Sequence, residues 1–137
     1  MSAPFRHRLR VRFGECDPQG IVFNPNYLAY ADVALTELFR EAAGSYAEVV
    51  ASGTDMVMVE SRVTYRAPAR ADDLLDIELA VGRVGTTSMR FDGRILRDGD
   101  ELTALELHYV AVDPATHAKQ PIAGRLAEVL ERFRVDA

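Results

Sequence analysis

Cysteine is almost absent from this chain, since Cys16 is the only one among 137 residues. A single cysteine forms neither an internal disulfide nor a cysteine-based metal cluster, and it suits a reducing compartment. The sequence has no apolar run of the roughly 18 to 20 residues needed to cross a bilayer, and its beginning lacks the apolar core of a signal peptide. We therefore expect a cytoplasmic protein without membrane insertion.

Basic residues are too few and too scattered for a nucleic-acid-binding face. The sequence contains 16 Lys and Arg against 21 Asp and Glu, which gives a net charge of −5. Binding to nucleic acid depends largely on basic side chains that neutralise phosphates. The three histidines also lack the paired spacing of a metal site. We expect no nucleic-acid partner and no metal.

The composition that remains is that of a globular protein. It is 48% hydrophobic and 27% charged, without low-complexity segments. A chain of this length is sufficient to bury one core but short for two. We expect a single domain over residues 1–137.

Hydrophobic periodicity divides the chain into strands and helices. Arginines that alternate with apolar residues predict a first strand over 6–13. Asn24 and Pro25 suit the N-cap and first helical positions, so a long helix should begin there and end at Gly44. The later predicted elements are a short helix over 46–51, strands over 56–65, 74–84, 87–96 and 102–112, and a helix over 123–133. This β-α-β-β-β-β-α order predicts an α+β fold in which one antiparallel sheet covers one long apolar helix.

Such a sheet would have exposed edges and a second face that needs cover. The residues that we place on this second face are Met56, Met58, Met89 and Phe91. A dimer that extends the sheet would cover both the edges and the face.

The connection from Gly14 to Tyr27 contains Asp17 in the sequence Asp-Pro-Gln-Gly. In isolation such a tetrapeptide is simply a type I turn signal. Its position changes the interpretation, because it brings a carboxylate close to the N-terminus of a helix. There the first backbone N–H groups lack partners and the helix dipole is positive. The combination favours chemistry on an acyl group.

The ionisation state of an aspartate limits the reactions that it can perform on an acyl group. With a reference pKa of about 3.9, an exposed Asp attacks a carbonyl carbon or takes a proton from water, but does not act as an acid at neutral pH. The substrate then needs a good leaving group. A thioester fits, because its thiol resembles that of cysteine, which has a pKa of about 8.5, and leaves without much help. Backbone N–H groups at the helix start would stabilise the oxyanion.

The run GECDPQGIVFNPNYLAYADVA, followed by VTYRAPARADDLL from Val63 to Leu75, resembles the hot-dog-fold acyl-CoA thioesterases. Within them it is most similar to the 4-hydroxybenzoyl-CoA thioesterase family, which includes the small bacterial acyl-CoA thioesterases linked to the Tol-Pal system. The resemblance extends over almost the whole chain and implies a hot-dog fold, in which a five-stranded antiparallel sheet wraps around one long central helix. It also implies hydrolysis of an acyl-CoA to a carboxylic acid and CoA without a cofactor. The assembly it implies is a homodimer or homotetramer with active sites at the subunit interface.

The same resemblance assigns roles to residues. Asp17 becomes the catalytic carboxylate, as nucleophile or general base, and the backbone amide at Asn24 becomes the group that polarises the carbonyl. Relatives have Tyr or His in place of Asn24. The role assigned to the backbone N–H does not depend on which side chain stands at this position. The residues that would bind the substrate beside the thioester are Gly20, Ile21, Val22, Phe23 and Tyr27.

Three arginines, Arg62, Arg66 and Arg70, are candidates for binding the phosphates of CoA. Arginine binds phosphate in a bidentate manner, which favours this role. Solvated charges on a strand and a loop are an equally good interpretation.

Several alternative interpretations stay open. Glu37 and Glu41 lie on the long helix, where one branch of hot-dog thioesterases carries its catalytic carboxylate, although solvated or helix-pairing roles are favoured here. Cys16 lacks the adjacent base of a thiolate mechanism. The alternative function is a catalytically silent acyl-CoA binding or sensing module. A hydratase on the same fold would need a His paired with an acid near the helix, and the sequence offers none.

Overall fold

A computed structural model describes residues 3–135 of the chain. Its strands and helices are β1 (Phe5–Arg10), α1 (Asn26–Ala43), α2 (Tyr46–Ala51), β2 (Asp55–Tyr65), β3 (Leu74–Val84), β4 (Ser88–Arg97), β5 (Asp100–Val112) and α3 (Gly124–Arg132). The strands form one antiparallel sheet in the order β1-β3-β4-β5-β2, so β1 and β2 are its edges. The predicted order of elements is confirmed, including the short second helix. Among the helices of this described part, none is long and apolar enough to span a membrane.

Helix α1 packs on the inner face of the sheet because its buried side combines small and large apolar residues. Ala31 and Ala34 are fully buried, so the helix backbone approaches its neighbours closely. Leu38 and Phe39 fill the following turn, and the Phe39 ring meets the ring of Phe91 on β4 edge to face, with centroids 6.5 Å apart. Aromatic pairs in this geometry contribute roughly 1 kcal/mol beyond the area that they bury. The core therefore lies between α1 and the sheet.

The outer face of the sheet carries charges instead of a second apolar layer. Arg8 on β1 donates to Asp76 on β3 at 2.9 and 3.2 Å, and Arg94 on β4 donates to Glu78 on β3 at 2.6 Å. Partly exposed pairs of this kind contribute roughly 0 to 1 kcal/mol each. They make this face charged and polar.

The four residues predicted on the second face lie on the inner face, with α1. Met58 and Met89 both pair with Tyr109 of β5 and therefore share its side of the sheet, and Met56 is two residues from Met58 on the same side. Met89 and Phe91 are 2% and 0% exposed. The prediction is wrong because alternation separates two faces of a strand without indicating which of them meets the helix.

Two boundaries near the Asp17 connection also differ from the sequence-based prediction. Strand β1 ends at Arg10, short of the predicted 13, because Phe13–Glu15 forms a turn of 3-10 helix. Helix α1 begins at Asn26, and the residue at its N-cap is Pro25, already in a right-handed helical conformation. Asn24 is therefore not the cap that the sequence predicted.

Candidate active site

Asp17 lies in a short hairpin that joins the 3-10 turn to α1, which we call the Asp17 hairpin (residues 16–22). Cys16 and Val22 pair at its open end, and the Asp17 N–H donates to the Ile21 carbonyl at 2.9 Å. The Gly20 N–H closes the turn on the Asp17 carbonyl at 2.9 Å, with a φ of +80° that favours glycine. The turn predicted from Asp-Pro-Gln-Gly is confirmed.

The Asp17 carboxylate is half-buried, and one of its two oxygens already accepts a hydrogen bond. One oxygen, Oδ1, accepts a hydrogen bond from the Gln19 N–H at 2.8 Å, which is an Asx turn. Its second oxygen, Oδ2, accepts no hydrogen bond from residues 3–135. This oxygen is available to a water molecule or to a substrate carbon.

The residue two positions before α1 carries a backbone donor that makes no hydrogen bond to the described residues. The Asn26 N–H donates to the Phe23 carbonyl at 2.9 Å, and the Tyr27 N–H donates to the Asn24 carbonyl at 3.4 Å. Pro25 has no N–H. Within the described part of the chain the Asn24 N–H donates to no acceptor, and Asn24 is exposed. A free N–H at the positive end of a helix is suited to an oxyanion.

A cavity of about 320 Å³ borders this helix start. Tyr65 spans one side of it, donating its hydroxyl to the Asn24 carbonyl at 3.1 Å and packing its ring edge to face on Tyr27 at 5.4 Å. Burial raises the pKa of Tyr27, whose hydroxyl oxygen accepts from the Ala69 N–H at 3.0 Å. The residues that line the cavity are Ile21, Val22, Asn24, Tyr27, Tyr65, Arg66, Ala67 and Pro68.

This cavity brings together five of the predicted site residues: Ile21, Val22, Asn24, Tyr27 and Arg66. The other predicted residues lie outside its lining. Asp17 and Gly20 are in the turn of the hairpin, and the Phe23 side chain is 52% exposed.

The three candidate arginines do not form one cluster. Arg62 faces Glu106 at 3.8 Å on β5, and the Arg66 Nε donates to Glu101 at 2.7 Å. Arg70 is exposed, and its backbone N–H donates to the carboxylate of Asp73 at 2.8 Å. Of the three, only Arg66 reaches the cavity beside the helix start.

A groove lies on the inner side of β2. The sequence did not predict this groove as part of the site. The groove has a volume of about 450 Å³ and is lined by Pro25, Leu28, Ala29, Asp32, Met58, Leu107 and Tyr109. Burial, and to a smaller extent the Asp32 carboxylate, raises the pKa of Tyr109 to about 12, so its hydroxyl is protonated at neutral pH. Sequence analysis missed Tyr109 because its position beside α1 depends on the pairing of β5 with β2. Among residues 3–135, no group of three or more His, Cys, Asp or Glu side chains is placed to hold a metal ion.

The sheet order around α1 and the hairpin at its N-terminus together define a hot-dog protein. A family model described as the thioesterase superfamily matches residues 19–104. The acyl-CoA thioester hydrolase YbgC of Escherichia coli is 33% identical over 111 residues, which cover 80% of this chain and 83% of that protein. The chain belongs to the thioesterase superfamily.

Solved structures share the fold of this chain. A hypothetical protein from Aquifex aeolicus superposes with a TM-score of 0.87 at 25% identity, covering 93% of this chain and 99% of that one. A 1,4-dihydroxy-2-naphthoyl-CoA thioesterase from Synechocystis superposes with a TM-score of 0.83 at 17% identity, covering 93% and 96%. The predictions of a hot-dog fold and of a thioesterase are confirmed, whereas the roles of individual residues stay predictions.

Proposed function

We propose that this enzyme hydrolyses acyl-CoA thioesters to a carboxylic acid and CoA, with Asp17 as the catalytic carboxylate. The observation that carries this proposal is that the connection between β1 and α1 contains one acceptor and one donor that make no hydrogen bond to the described residues. These are the second oxygen of Asp17 and the free N–H of Asn24 at the start of α1. The names of the curated relatives support the substrate class.

Two routes are compatible with this pair of groups. In the first, Asp17 takes a proton from water, the resulting hydroxide attacks the acyl carbon, and the C–S bond breaks to release the CoA thiolate. In the second, Asp17 attacks the acyl carbon itself, the thiolate leaves, and water then hydrolyses the mixed anhydride. Both routes place negative charge on the carbonyl oxygen, where a donor such as the Asn24 N–H contributes roughly 3 to 4 kcal/mol.

The lining of the cavity beside the helix start supports a binding role for the residues around it. Ile21, Val22 and Tyr27 give it an apolar wall, and we propose that Gly20 and Phe23 extend this wall along the hairpin. Arg66 is the best placed of the three arginines to meet a CoA phosphate, because it lines the same cavity. For Arg62 and Arg70 the arrangement gives this role less support.

We also propose that a second copy of the chain completes the site. Strand β2 is an edge, and its Val57 and Val59 side chains are 43% and 61% exposed. An edge strand with exposed valines is suited to pairing with another strand. The groove between β2 and α1 would then lie next to the partner.

Thiol release from acyl-CoA tests the proposed function. We expect the wild-type protein to release CoA from at least one of acetyl-, hexanoyl-, palmitoyl- and 4-hydroxybenzoyl-CoA, as measured with a thiol-reactive dye. We expect Asp17→Asn to lower kcat at least 100-fold, because it removes the base or nucleophile. The matched control is Asp98→Asn, the same chemical change in the exposed β4–β5 turn, which should retain wild-type activity.

Two outcomes contradict the proposal: no cleavage of any of these thioesters by the wild type, or full activity in Asp17→Asn. Saturable binding of acyl-CoA without thiol release would favour the sensing module. A single turnover in ¹⁸O water then examines the role of Asp17. Label in the Asp17 carboxylate identifies it as the nucleophile, whereas general-base catalysis places label in the acid product alone.

A further inference from the structure

Glu15 lies at the base of the Asp17 hairpin and connects it to helix α1 through both its backbone and its side chain. Its carbonyl oxygen accepts from the Phe23 N–H at 3.0 Å, which extends the hairpin by one pair beyond Cys16 and Val22. The same oxygen accepts from the Asn26 Nδ2 at 2.8 Å. The backbone of Glu15 is therefore tied to the first residue of α1.

The carboxylate of Glu15 makes a second connection to α1, one helical turn further along. Its Oε1 accepts from the Tyr30 hydroxyl at 2.8 Å. Asn26 and Tyr30 are four residues apart and so lie on the same side of the helix. Two contacts on one side of a helix fix both the distance and the angle between the hairpin and α1.

Arg12 holds the Glu15 carboxylate from the other side. The Arg12 N–H donates to Oε1 at 2.8 Å, and its guanidinium donates to Oε2 at 3.0 and 2.9 Å. Burial acts to raise the pKa of Glu15, but the hydrogen bonds from Arg12 and Tyr30 outweigh it and hold the pKa below its usual value. The Glu15 side chain, 19% exposed, is thus an ionised acceptor surrounded by donors.

We infer that Glu15 is a positioning residue, which holds the Asp17 carboxylate in register with the free N–H at the start of α1. This inference rests on the proposed function, because it assigns no chemistry to Glu15 itself. Glu15 lines neither the cavity beside the helix start nor the groove along β2. Loss of its contacts should therefore change the rate of the chemical step and leave substrate binding unchanged.

Two substitutions separate positioning from a general contribution to the fold. Tyr30→Phe removes only the hydroxyl that binds Glu15, and Glu15→Gln retains the size of the side chain while removing its charge. The matched control is Glu78→Gln, which removes a more deeply buried carboxylate, 9% exposed, that is held by Arg6 and Arg94 on the outer face of the sheet. All three are compared as kcat per folded molecule, with the folded fraction measured by circular dichroism.

We expect Tyr30→Phe and Glu15→Gln each to lower kcat about 10- to 100-fold with KM within 2-fold of wild type, as misplacement by about 1 Å does in other enzymes. Glu78→Gln should lower the melting temperature and leave kcat unchanged. The inference is overturned if both site variants keep wild-type kcat per folded molecule, or if KM rises while kcat stays constant. Activity that is lost in Asp17→Asn but retained in both of them would refute positioning by Glu15 and leave the proposed function intact.

Discussion

Gly20 shows how one residue sets the shape of the Asp17 hairpin. Its φ is +80°, and a Cβ added to it would meet no other atom within 4 Å. A substitution at this position is therefore opposed by backbone conformation alone. Gly99, in the turn between β4 and β5, has a φ of +86° and equally open surroundings.

This pair of glycines gives a prediction at the residue scale. Gly20→Ala and Gly99→Ala should each lower the free energy of unfolding by about 1 to 2 kcal/mol, because L-residues are disfavoured in the left-handed region. Only Gly20→Ala should also lower kcat, since it alone lies in the turn that carries Asp17. Urea unfolding and thiol release measure the two effects, and an equal loss of kcat in both variants would contradict a special role for the hairpin.

For single residues, the sequence predicts the local conformation correctly where that conformation depends on neighbouring residues in the chain. The turn at Asp17 follows from Asp-Pro-Gln-Gly, and the turn is present. Glu15 was missed, because its partners Asn26 and Tyr30 reach it only after the loop folds back onto the helix. The residue type of Asn24 predicts a cap, but Pro25 occupies the N-cap position and the helix begins only at Asn26.

Helix α1 contributes eight buried residues to the core. Leu38 is fully buried in the middle of its sheet-facing side. Leu38→Ala should therefore lower the free energy of unfolding by about 2 to 5 kcal/mol, through lost burial and the cavity left behind. Leu74→Ala, at a position on β3 that is 36% exposed, should have a clearly smaller effect. Urea unfolding with an unchanged m-value checks this, and equal losses would show that α1 does not anchor the core.

The helices and strands show what hydrophobic periodicity can and cannot predict. The bounds of β3 and α2 are those predicted, because turn residues and alternation mark them clearly. Met89 and Phe91 were placed on the wrong face, since a period of two residues is the same whichever face meets the helix. The choice between faces depends on pairing with Leu107 and Tyr109, which are far away in the sequence.

For the whole molecule, ion pairs on the outer face connect stability to pH. The hydrogen bond from Arg8 is the main reason why the pKa of Asp76 lies below its usual value. A carboxylate with a lowered pKa in the folded state stabilises the fold above its unfolded pKa of about 3.9, and this contribution is lost as the pH falls towards the folded pKa. Glu15 acts in the same direction.

We therefore expect the free energy of unfolding to fall as the pH is lowered from about 5 to 3. Asp76→Asn cannot titrate at this position, so it should show a shallower fall over the same range. Urea unfolding at a series of pH values measures both slopes. Parallel curves for the two proteins would mean that Asp76 has no part in the acid sensitivity.

The order of strands could not be predicted from periodicity, because nothing local indicates that β2 crosses to the far side of β5. The resemblance to a known family predicts the five-stranded antiparallel sheet around one long helix, which the fold confirms, but the spatial order of the strands comes from the structure alone. The charged outer face was also missed, since the ion pairs that form it join three different strands.

The hairpin and the helix start that follows it come from one uninterrupted stretch of sequence, and their shape depends mainly on hydrogen bonds within that stretch and to α1. The near walls of the cavity and groove belong to the hairpin and α1, whereas the far walls come from parts that are distant in the chain: Tyr65 to Pro68 at and beyond the end of β2, Met58 of β2, and Leu107 and Tyr109 of β5. Mutation of the far walls can therefore reshape the pocket while the hairpin and the helix start stay in place. A protein built in this way can acquire new substrates by many small steps, each of which leaves an active catalyst.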